Sequence, residues 1–458
     1  MTVQAWYMRH FSGTGGIASL LIMAFPMMIS YASDTLMMFC DRYFLSQVGK
    51  EYISAAMVGG LSSFFAMTLW FGVNGYVNAL VAQYYGARQK GCCSVAVTQG
   101  FILSILAYPF ILICIPLVNF LFVWSNPDPL QLILQKKYFL VLTLASPLSL
   151  FRLVLGSFFT GIGRVNVVMF ANIVGVIVNV PLSYILIFGK WGFPELDIFG
   201  AAYGTVISEG VILAILAIVY YKLRNPFQVF ESFYFNRRIF FNLVRYGFPA
   251  GLELFFSMAA INIVTLQFHS YGLDVATAVT IVLNWDLVSF LPMIGLNIAT
   301  TSLVGQNIGA KNFFEAERTL FSSLKVALVY SLFMTGLFLF MTTFLVNVFV
   351  PETLIEQYSQ VIEMGKVMLR LAAFYVTAEA LMLSVLGALH GAGDTLWPMC
   401  AKIIISVTFA SLITVLIRVY AWSPTITWSI FACNPIALFF AMCLRYRTEK
   451  WKTMSLLT

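Results

Sequence analysis

The sequence predicts an all-α integral membrane protein of twelve transmembrane helices, arranged as two six-helix bundles that are related by an internal pseudo-two-fold repeat. Hydrophobic residues make up 60% of the 458 residues and charged residues 10%, whereas soluble domains carry about 25% charged residues. Apolar runs such as residues 16–34 and 100–124 are long enough for a hydrocarbon core, which a helix crosses in about 20 residues. Barrel strands would instead show short stretches of period-2 alternation.

The third observation is a repeat without gaps, because residues 25–88 reappear as residues 248–311 at an offset of 223 (248 − 25). The matched pairs are Pro26 and Pro249, Gly72 and Gly295, Asn74 and Asn297, Gln83 and Gln306, and Gly86 and Gly309. Shared Pro, Gly, Asn and Gln residues indicate duplication more strongly than shared Leu or Val would. Six helices per half is an even number, so both halves start on the same side of the membrane, as in transporters with parallel repeats.

In the first half, turn sequences separate the apolar runs in order. The predicted spans are residues 16–44, 54–85, 94–123, 138–159, 165–188 and 200–221. The turn at residues 49–51 follows the first span, Ser-Asn-Pro-Asp-Pro at 125–129 closes the third, and Gly-Ile-Gly-Arg at 161–164 ends the fourth. These residues form the predicted N-terminal bundle, residues 1–221.

Residues 222–238 form the most polar and basic long segment, which we interpret as a cytoplasmic linker between the halves. The second half, residues 239–458, is the predicted C-terminal bundle with a cytoplasmic tail. Its predicted spans are residues 239–268, 275–305, 318–349, 361–389, 396–420 and 426–444. The sequence Gly-Ala-Gly-Asp at 391–394 stands where Gly-Ile-Gly-Arg stands in the first half.

The net charge of +7 could suggest a nucleic-acid partner, but its distribution argues against one. Lysines and arginines number 14 in one set of alternate loops and the two ends, and 4 in the other loops. This asymmetry is the positive-inside pattern, which predicts that both termini are cytoplasmic. The seven cysteines show no spacing typical of a metal site or a disulfide framework. No cleavable signal is expected before the first span, because its apolar run is too long for one.

Five carboxylates inside the predicted spans are candidates for function, because an ionisable side chain costs roughly 2.5 to 3.5 kcal/mol at the bilayer centre. They are Asp34 and Asp41 in the first span, Glu253 in the seventh, Asp286 in the eighth and Glu379 in the tenth. Asp34 and Asp41 are seven residues apart and therefore share a helix face. Such residues are tolerated where their helices line a water-filled interior, so the sequence predicts a transport pathway.

The repeat is symmetric in scaffold but not in acids, because Asp34 corresponds to Ser257, Glu253 to Ser30 and Asp41 to Val264. Two chambers with different tasks follow, one for a coupling ion and one for the cargo. Asn172 and Asn179 could present amide oxygens to the same chamber as Asp34, or could pack helices together.

Structural alternatives exist for each acid. Asp34 could be a buried hydrogen-bonded side chain, Asp41 could pair with Arg42, and Glu253 and Glu379 could form salt bridges with Arg245, Lys366 or Arg370. Pro26 and Pro249 each remove a backbone hydrogen bond inside a helix, which permits bending, although prolines are also common in static spans.

Catalytic signatures are missing from the sequence: it contains no His-Glu-x-x-His, no Gly-x-Ser-x-Gly and no nucleotide-binding glycine loop. A membrane-embedded enzyme could use carboxylates to hold Mg²⁺, but those acids would cluster near one loop, whereas these are spread over both halves. We therefore expect a protein that is not an enzyme and has no cofactor.

Several segments together resemble the multidrug and toxic compound extrusion (MATE) family. The segments are residues 26–49 and 83–88 in the first half, residues 179–189, 192–196 and 200–202 around the fifth and sixth spans, and residues 247–252, 306–311 and 387–391 in the second half. The similarity extends over nearly the whole chain. The resemblance implies twelve helices in two bundles and export driven by inward movement of H⁺ or Na⁺.

The chain is most similar to the bacterial branch typified by norfloxacin-exporting pumps, which implies the inner membrane. Asp41 matches the first-helix aspartate of that branch, and Glu379 matches its tenth-helix acid. The family's seventh-helix glutamate falls at Ser257 here, and Glu253 lies one turn earlier. Asp34 stands where a neutral polar residue is more usual.

The sequence thus predicts an antiporter that exports organic, cationic or amphipathic compounds in exchange for H⁺ or Na⁺, acting as a monomer in the lipid bilayer. Asp41, Asp34 and Asn179 are the candidate ion-coupling residues, with Na⁺ as one possible occupant at Asp41 and Asp34. Glu253, Glu379, Asp286 and Ser257 are the candidate cargo-binding residues, and Pro26 and Pro249 the candidate hinges. The alternative is a lipid-linked precursor flippase of a related exporter class, which would usually show a basic cavity for pyrophosphate.

Overall fold

The computed structural model describes residues 13–124, 128–349, 358–454 and 456, and within these ranges it contains helices and no β-strand. The helices of the first half are α1 Ile17–Val48, α2 Lys50–Gly75, α3 Val77–Gly86, α4 Lys90–Trp124, α5 Pro129–Leu144, α6 Ser146–Gly161, α7 Val165–Phe188, α8 Asp197–Lys222 and α9 Arg224–Phe227. Those of the second half are α10 Arg237–His269, α11 Leu273–Gly309, α12 Phe313–Phe340, α13 Thr342–Asn347, α14 Ser359–Ala392, α15 Leu396–Arg418, α16 Pro424–Phe431 and α17 Cys433–Arg447. Short 3₁₀ turns occupy Phe230–Ser232 and Lys450–Thr453.

The predicted number of transmembrane spans is confirmed for the described part of the chain. Eleven segments are long and apolar enough to cross a membrane, and the bent pair of α5 and α6 makes a twelfth when counted as one span. Helices suit this environment because each backbone N–H and C=O is satisfied within its own segment, where no water is present to replace a lost partner.

The fourth span differs from the sequence prediction of a single helix over residues 138–159. It begins earlier, at Pro129, where the Asp128 side chain accepts hydrogen bonds from the first backbone N–H groups of α5. It then breaks at Ala145 and bends by 47° into α6. Pro147 explains the break, because proline disfavours helical geometry in the residue before it and cannot donate a backbone hydrogen bond.

The chain divides into two compact units, which we call the N unit (Ile29–Leu252) and the C unit (the described residues up to Met28 together with Glu253–Leu456). The sequence placed the division at the linker of residues 222–238, whereas the unit boundaries fall inside α1 and α10. Each boundary follows a helix proline, Pro26 or Pro249, by three or four residues.

The start of α1 belongs to the C unit because polar contacts fix it there. The backbone N–H of Gly15 donates to Glu315 Oε2 at 2.6 Å, and Ser322 Oγ donates to the carbonyl of Gly15 at 2.8 Å. The first half of α10 belongs to the N unit, because Gly251 lies so close to Leu69 of α2 that a side chain there would meet its carbonyl oxygen. Small residues at helix contacts allow such close backbone approach.

Two further glycine contacts position the helices that carry the polar residues. In the N unit, Gly204 of α8 lies against Ser183 of α7, and a Cβ atom at this glycine would overlap the serine hydroxyl. In the C unit, Gly391 of α14 lies against Thr301 of α11, where an added Cβ would lie 2.5 Å from the threonine carbonyl oxygen. These contacts bring α7 close to α8 and α11 close to α14.

Candidate functional site

Asp41 lies in the N unit as a buried carboxylate that is 4% exposed. Its Oδ2 accepts a hydrogen bond from Thr205 Oγ1 of α8 at 2.8 Å. Asn179 and Ser183 of α7 flank the same carboxylate, and the Asn179 amide donates to Ser183 Oγ at 3.4 Å. Three helices, α1, α7 and α8, therefore contribute oxygen atoms to one buried position, which we call the Asp41 layer (Asp41, Asn179, Ser183 and Thr205).

Two oxygen atoms in the Asp41 layer have no hydrogen-bond partner among the described residues. They are Asp41 Oδ1 and Asn179 Oδ1, and Asn179 is fully buried. A buried acceptor without a donor costs about 1–3 kcal/mol, and more when it is charged. A proton on Asp41, or a Na⁺ ion held by these oxygens, would remove that cost. The predicted pairing of Asp41 with Arg42 does not occur in the described structure; the carboxylate points to Thr205 instead.

A second polar cluster, the Asp34 network, lies two turns back along α1. Arg152 Nη2 of α6 is 2.7 Å from Asp34 Oδ1, and Arg152 Nη1 is 3.2 Å from Glu209 Oε1 of α8. Asn172 Oδ1 of α7 accepts from Arg152 at 3.4 Å, and Ser149 donates to Glu209. The guanidinium thus bridges two carboxylates in a geometry to which its planar fork of donors is suited.

The Asp34 network and the Asp41 layer share the same helices because of residue spacing. Asp34 and Asp41 are seven residues apart on α1, as are Asn172 and Asn179 on α7, and seven residues advance a helix by about 10 Å. Asp34 is therefore placed near Asn172, as the sequence indicated, but its carboxylate is already in an ion pair with Arg152, which it shares with Glu209. Asp41 has a buried carboxylate oxygen, Oδ1, that accepts no hydrogen bond from any described residue.

In the C unit, Glu253 is 4% exposed and has two basic neighbours. Lys402 Nζ of α15 lies 3.0 Å from Glu253 Oε1, and His390 Nε2 of α14 lies 3.1 Å from Oε2. The predicted alternative partners for Glu253, namely Arg245, Lys366 and Arg370, are wrong. Lys366 instead pairs with Glu363 one turn away on its own helix, and the residues that reach Glu253 are Lys402 of the eleventh span and His390 of the tenth.

A further acidic pair lies on α11 and α14 of the same unit. The carboxylates of Asp286 and Glu379 are close enough to interact electrostatically, and Lys402 also faces Glu379. The Tyr375 hydroxyl faces Asp286. However, neither Asp286 Oδ1 nor the Tyr375 hydroxyl makes a hydrogen bond of normal geometry within the described residues. This acidic pair is thus close together and incompletely satisfied.

The remaining candidate residues occupy the predicted helices. Ser257 of α10 donates its hydroxyl to the carbonyl of Glu253 at 2.6 Å, a local bond within the helix. Pro26 and Pro249 lie inside α1 and α10 respectively. The structure therefore groups Asp41 with Asn179 in the N unit and Asp286 with Glu379 in the C unit, and it places Asp34 and Glu253 in ion pairs.

Sequence reasoning missed four charged or titratable residues that complete these clusters. They are Arg152, Glu209, His390 and Lys402, each inside a span or at its end. The signal was available, because a basic residue inside a span carries the same cost as an acid and needs a partner of opposite charge. Pairing each intramembrane acid with an intramembrane base would have predicted the ion pairs. No group of three or more His, Cys, Asp or Glu residues suited to a metal ion occurs among the described residues.

Comparison with known proteins identifies similar chains. The family model MatE matches residues 26–185 and 249–417, one match in each half of the chain. A probable multidrug resistance protein NorM of Oceanobacillus iheyensis is 27% identical over 389 residues, which cover 82% of this chain and 83% of the relative. The multidrug resistance protein NorM of Vibrio cholerae is 28% identical over 386 residues, which cover 82% of each chain.

Solved structures show the same fold. A MOP superfamily transporter from Pyrococcus furiosus, whose description reports a reversed polarity of the binding pocket, aligns with a TM-score of 0.86 at 19% identity and covers 99% of each chain. A multidrug resistance MATE family transporter in an outward-facing conformation aligns with a TM-score of 0.83 at 19% identity, covering 99% of this chain and 100% of that one. The predicted two-bundle all-helical fold class is confirmed by these likenesses.

Proposed function

Because this chain belongs to the MatE family, we propose that it is a secondary active antiporter that exports organic compounds in exchange for H⁺ or Na⁺. The multidrug resistance names of its relatives support cargo of this class, cationic or amphipathic in character. The flippase alternative is not favoured. A transporter of this kind is not an enzyme and needs no cofactor beyond its coupling ion.

The observation that carries the proposal is the pair of unsatisfied oxygens at Asp41 and Asn179. Both are buried in a span, where an unpaired carboxylate oxygen is costly. A cation that enters this layer can interact with both oxygens, since neither has another partner among the described residues. We propose that Asp41 would hold a proton and donate a hydrogen bond to Asn179 Oδ1, or that Na⁺ would be coordinated by the oxygens of Asp41, Asn179 and Thr205.

The energy available from such a cation is sufficient for accumulation of cargo. One elementary charge that moves inward through 100 mV supplies about 2.3 kcal/mol, which corresponds to roughly a fifty-fold concentration ratio for a cargo without net charge. A singly charged cationic cargo exchanged one for one is driven by the cation concentration gradient instead, at about 1.4 kcal/mol for each tenfold difference. The protein must then bind the cation more tightly in one conformation than in another, since only a difference in affinity shifts a conformational equilibrium. The predicted hinges Pro26 and Pro249 lie next to the unit boundaries of α1 and α10, which supports their role as bending points.

For the charge of the cargo we propose the acidic pair of Asp286 and Glu379. Glu253 is compensated by Lys402 and His390, so a cargo cation would have to displace a tethered lysine before binding there. Glu253 and Ser257 stay predictions as cargo contacts. Asp34, held by Arg152, likewise stays a prediction as a coupling residue, and we propose that its network fixes α1 next to the Asp41 layer.

The proposed setting is the inner membrane of a bacterial cell, with both termini in the cytoplasm and a monomer as the working unit. The chain is a multi-pass membrane protein. The excess of lysine and arginine in alternate loops supports the orientation. Its positive charge is assigned to this topology rather than to a nucleic-acid partner.

The test is transport by the purified chain in sealed lipid vesicles loaded with a fluorescent organic cation. An imposed pH difference and a Na⁺ difference are applied separately, each without the other. Under one of the two gradients, we expect the dye to move in the direction opposite to the flow of the coupling cation. Absence of dye movement under both gradients, with correctly folded protein in the vesicles, would refute the proposed function.

A further inference from the structure

The linker between α8 and α10 carries a run of exposed aromatic side chains in the N unit. Phe230, Phe233, Tyr234 and Phe235, which we call the aromatic cluster, are between 51% and 61% exposed. Apolar side chains concentrated in this way on a surface generally mark a contact with another molecule or a membrane. The chain ends one span at Lys222 and begins the next at Arg237, so this surface lies beside the ends of two spans.

The exposure of the aromatic cluster is enforced by the way in which the linker backbone is held. Phe227 and Val229 are buried, at 4% and 3% exposed, and anchor the segment on the helices beneath it. The side chain of Gln99 donates to the carbonyl of Tyr234 at 2.9 Å and accepts from the N–H of Asn236 at 3.2 Å. The aromatic rings are therefore directed outward by a fixed backbone, while other linker residues take the buried positions.

Basic residues flank the aromatic cluster. The segment from Lys222 to Arg238 contains four basic residues and one acid, Glu231, which gives a net charge of +3 (4 − 1). Arg237 and Arg238 line a surface cavity of about 510 Å³ together with Phe241 and Asn242. The Arg237 guanidinium packs over the Phe241 ring at 5.7 Å. Paired guanidinium groups beside aromatic rings offer one surface for an anionic oxygen and another for hydrocarbon.

We propose that this surface binds an anionic phospholipid, with its phosphate at Arg237 and Arg238 and its acyl chains against the aromatic cluster. Charge complementarity favours this ligand, because the cytoplasmic leaflet is negatively charged and attracts basic residues near the ends of spans. Aromatic side chains are also preferred at the boundary between headgroups and hydrocarbon. The bound lipid would hold the start of α10, the helix that contains Pro249 and Glu253.

The experiment measures lipid retention and not transport, so its outcome is independent of the proposed antiport. The full chain is purified from vesicles of phosphatidylcholine mixed with phosphatidylglycerol, and the lipid that remains bound is identified by native mass spectrometry. We expect phosphatidylglycerol to be retained. In the double variant Arg237→Gln with Arg238→Gln, we expect its affinity to fall by about thirtyfold, the effect of removing two charges near an anionic surface.

Matched variants separate this site from a general effect of charge. Lys136→Gln with Lys137→Gln removes an adjacent basic pair from α5 and should leave phosphatidylglycerol retention unchanged. Arg237→Lys with Arg238→Lys keeps the charge and should retain most of the lipid, which also guards against misfolding of the glutamine variant. Phe233→Ala with Phe235→Ala should weaken retention, because it removes the surface for the acyl chains.

Three outcomes would overturn the proposal. Retention that is unchanged in the Arg237 and Arg238 glutamine variant would show that these arginines do not bind the lipid. An equal loss in the Lys136 and Lys137 variant would show a nonspecific effect of charge. Displacement of the lipid by inorganic phosphate at similar concentration would show that the cavity binds a free anion and that the aromatic cluster has no part in it.

Discussion

Lys402 Nζ lies 3.0 Å from Glu253 Oε1, and the equivalent positions of the first repeat hold Asn172 and Ser30, two neutral residues. Glu253 corresponds to Ser30 at the repeat offset of 223 (253 − 30). Lys402 corresponds to Asn172 at an offset of 230 (402 − 172), which is also the offset between the glycine motifs that begin at Gly161 and Gly391. An ion pair thus occupies a place in the C unit where the N unit has no charge.

One turn further along α1 and α10, the N unit has the charged residue and the C unit has the neutral one. Asp34 pairs with Arg152 in the N unit, whereas the equivalent of Asp34 in the C unit is the neutral Ser257. Within the described residues, each unit therefore contains an ion pair inside a span, Asp34–Arg152 or Glu253–Lys402, and an incompletely satisfied acid, Asp41 or Asp286. A buried salt bridge is weak evidence of stability in itself, but the removal of one partner leaves a buried charge and is strongly destabilising.

The first prediction concerns the Glu253–Lys402 pair. Glu253→Gln and Lys402→Met should each lower the free energy of unfolding, but by less than the roughly 3–5 kcal/mol of a fully unpaired buried charge, because Lys402 still faces Glu379 and His390 still contacts Glu253. The double variant should lose less than the sum, with a coupling energy above about 1 kcal/mol. Thermal or denaturant unfolding of the purified protein measures both.

The control is the Glu363–Lys366 pair, also 3.0 Å apart but with a glutamate that is 74% exposed, where coupling should stay below about 0.5 kcal/mol. Equal coupling in the two pairs would contradict the assignment.

The second prediction concerns Arg152, which holds Asp34 and Glu209 together. Arg152→Gln should destabilise the protein by about 1–3 kcal/mol, which is less than for a fully buried pair because the Asp34 side chain is 34% exposed. Arg152→Lys should cost less, because the charge remains, yet it should not restore the wild-type value, because an ammonium cannot reproduce the planar fork. Lys190→Gln, in the exposed turn before α8, should change stability by less than about 0.5 kcal/mol. A lysine variant as stable as the wild type would show that the bridging geometry has no energetic role.

The third prediction concerns the acidic pair proposed to hold the cargo. Asp286→Asn or Glu379→Gln should weaken the binding of a fluorescent organic cation by about tenfold or more, since loss of one charge contact costs at least about 1.4 kcal/mol at such a site. Binding of a neutral amphipathic dye should change much less. Titration of the dye with purified protein measures the effect, and Asp274→Asn, at the exposed start of α11, is the control. Unchanged cation affinity in both pair variants would remove these residues from the cargo site.

The fourth prediction concerns Gly204, which lies against Ser183 in the Asp41 layer. Gly204→Ala should destabilise the N unit by about 1–3 kcal/mol, the usual range for overpacking, and should impair coupling by moving Thr205 away from Asp41. Gly156→Ala is the matched control, because a Cβ atom at that helical position meets nothing within 4 Å. It should be neutral or slightly stabilising, since alanine favours a helix. A Gly204 variant that behaves like the Gly156 variant would show that α7 and α8 can separate without consequence.

Much of the fold follows from the sequence because length and hydropathy constrain membrane helices strongly. The twelve spans were predicted, but the bend at Ala145 was not, because the apolar pattern continues through it and only Pro147 marks the position. The predicted division of the chain at residues 222–238 stays a prediction, and the boundaries of the N and C units lie elsewhere. A basic linker suggests a division between helices, whereas the division inside α1 and α10 depends on tertiary contacts such as that between Gly15 and Glu315.

The grouping of the candidate site residues was predicted in part, and their roles stay predictions. Helical spacing placed Asp41 and Asn179 on the faces where the structure brings them together, and the duplicated frame indicated that the two units differ in their acids. The spacing within one helix cannot say which residue of another helix faces an acid, so the partners of Asp34 and Glu253 required the structure. Arg152 and Lys402 show that a basic residue inside a span, like an acidic one, indicates a partner of opposite charge on another helix.

The most direct test of the account is cation-coupled transport by Asp41→Asn, with Asp274→Asn as the matched control. The asparagine keeps the shape of the side chain but cannot take up a proton or carry the charge that attracts Na⁺. In vesicles under the gradient that drives the wild type, the Asp41 variant should lose the accumulation of dye, which one-for-one exchange can raise by about tenfold for each tenfold cation gradient, while it still binds the dye. Accumulation at the wild-type level by the Asp41 variant would contradict the assignment of this layer to the coupling ion.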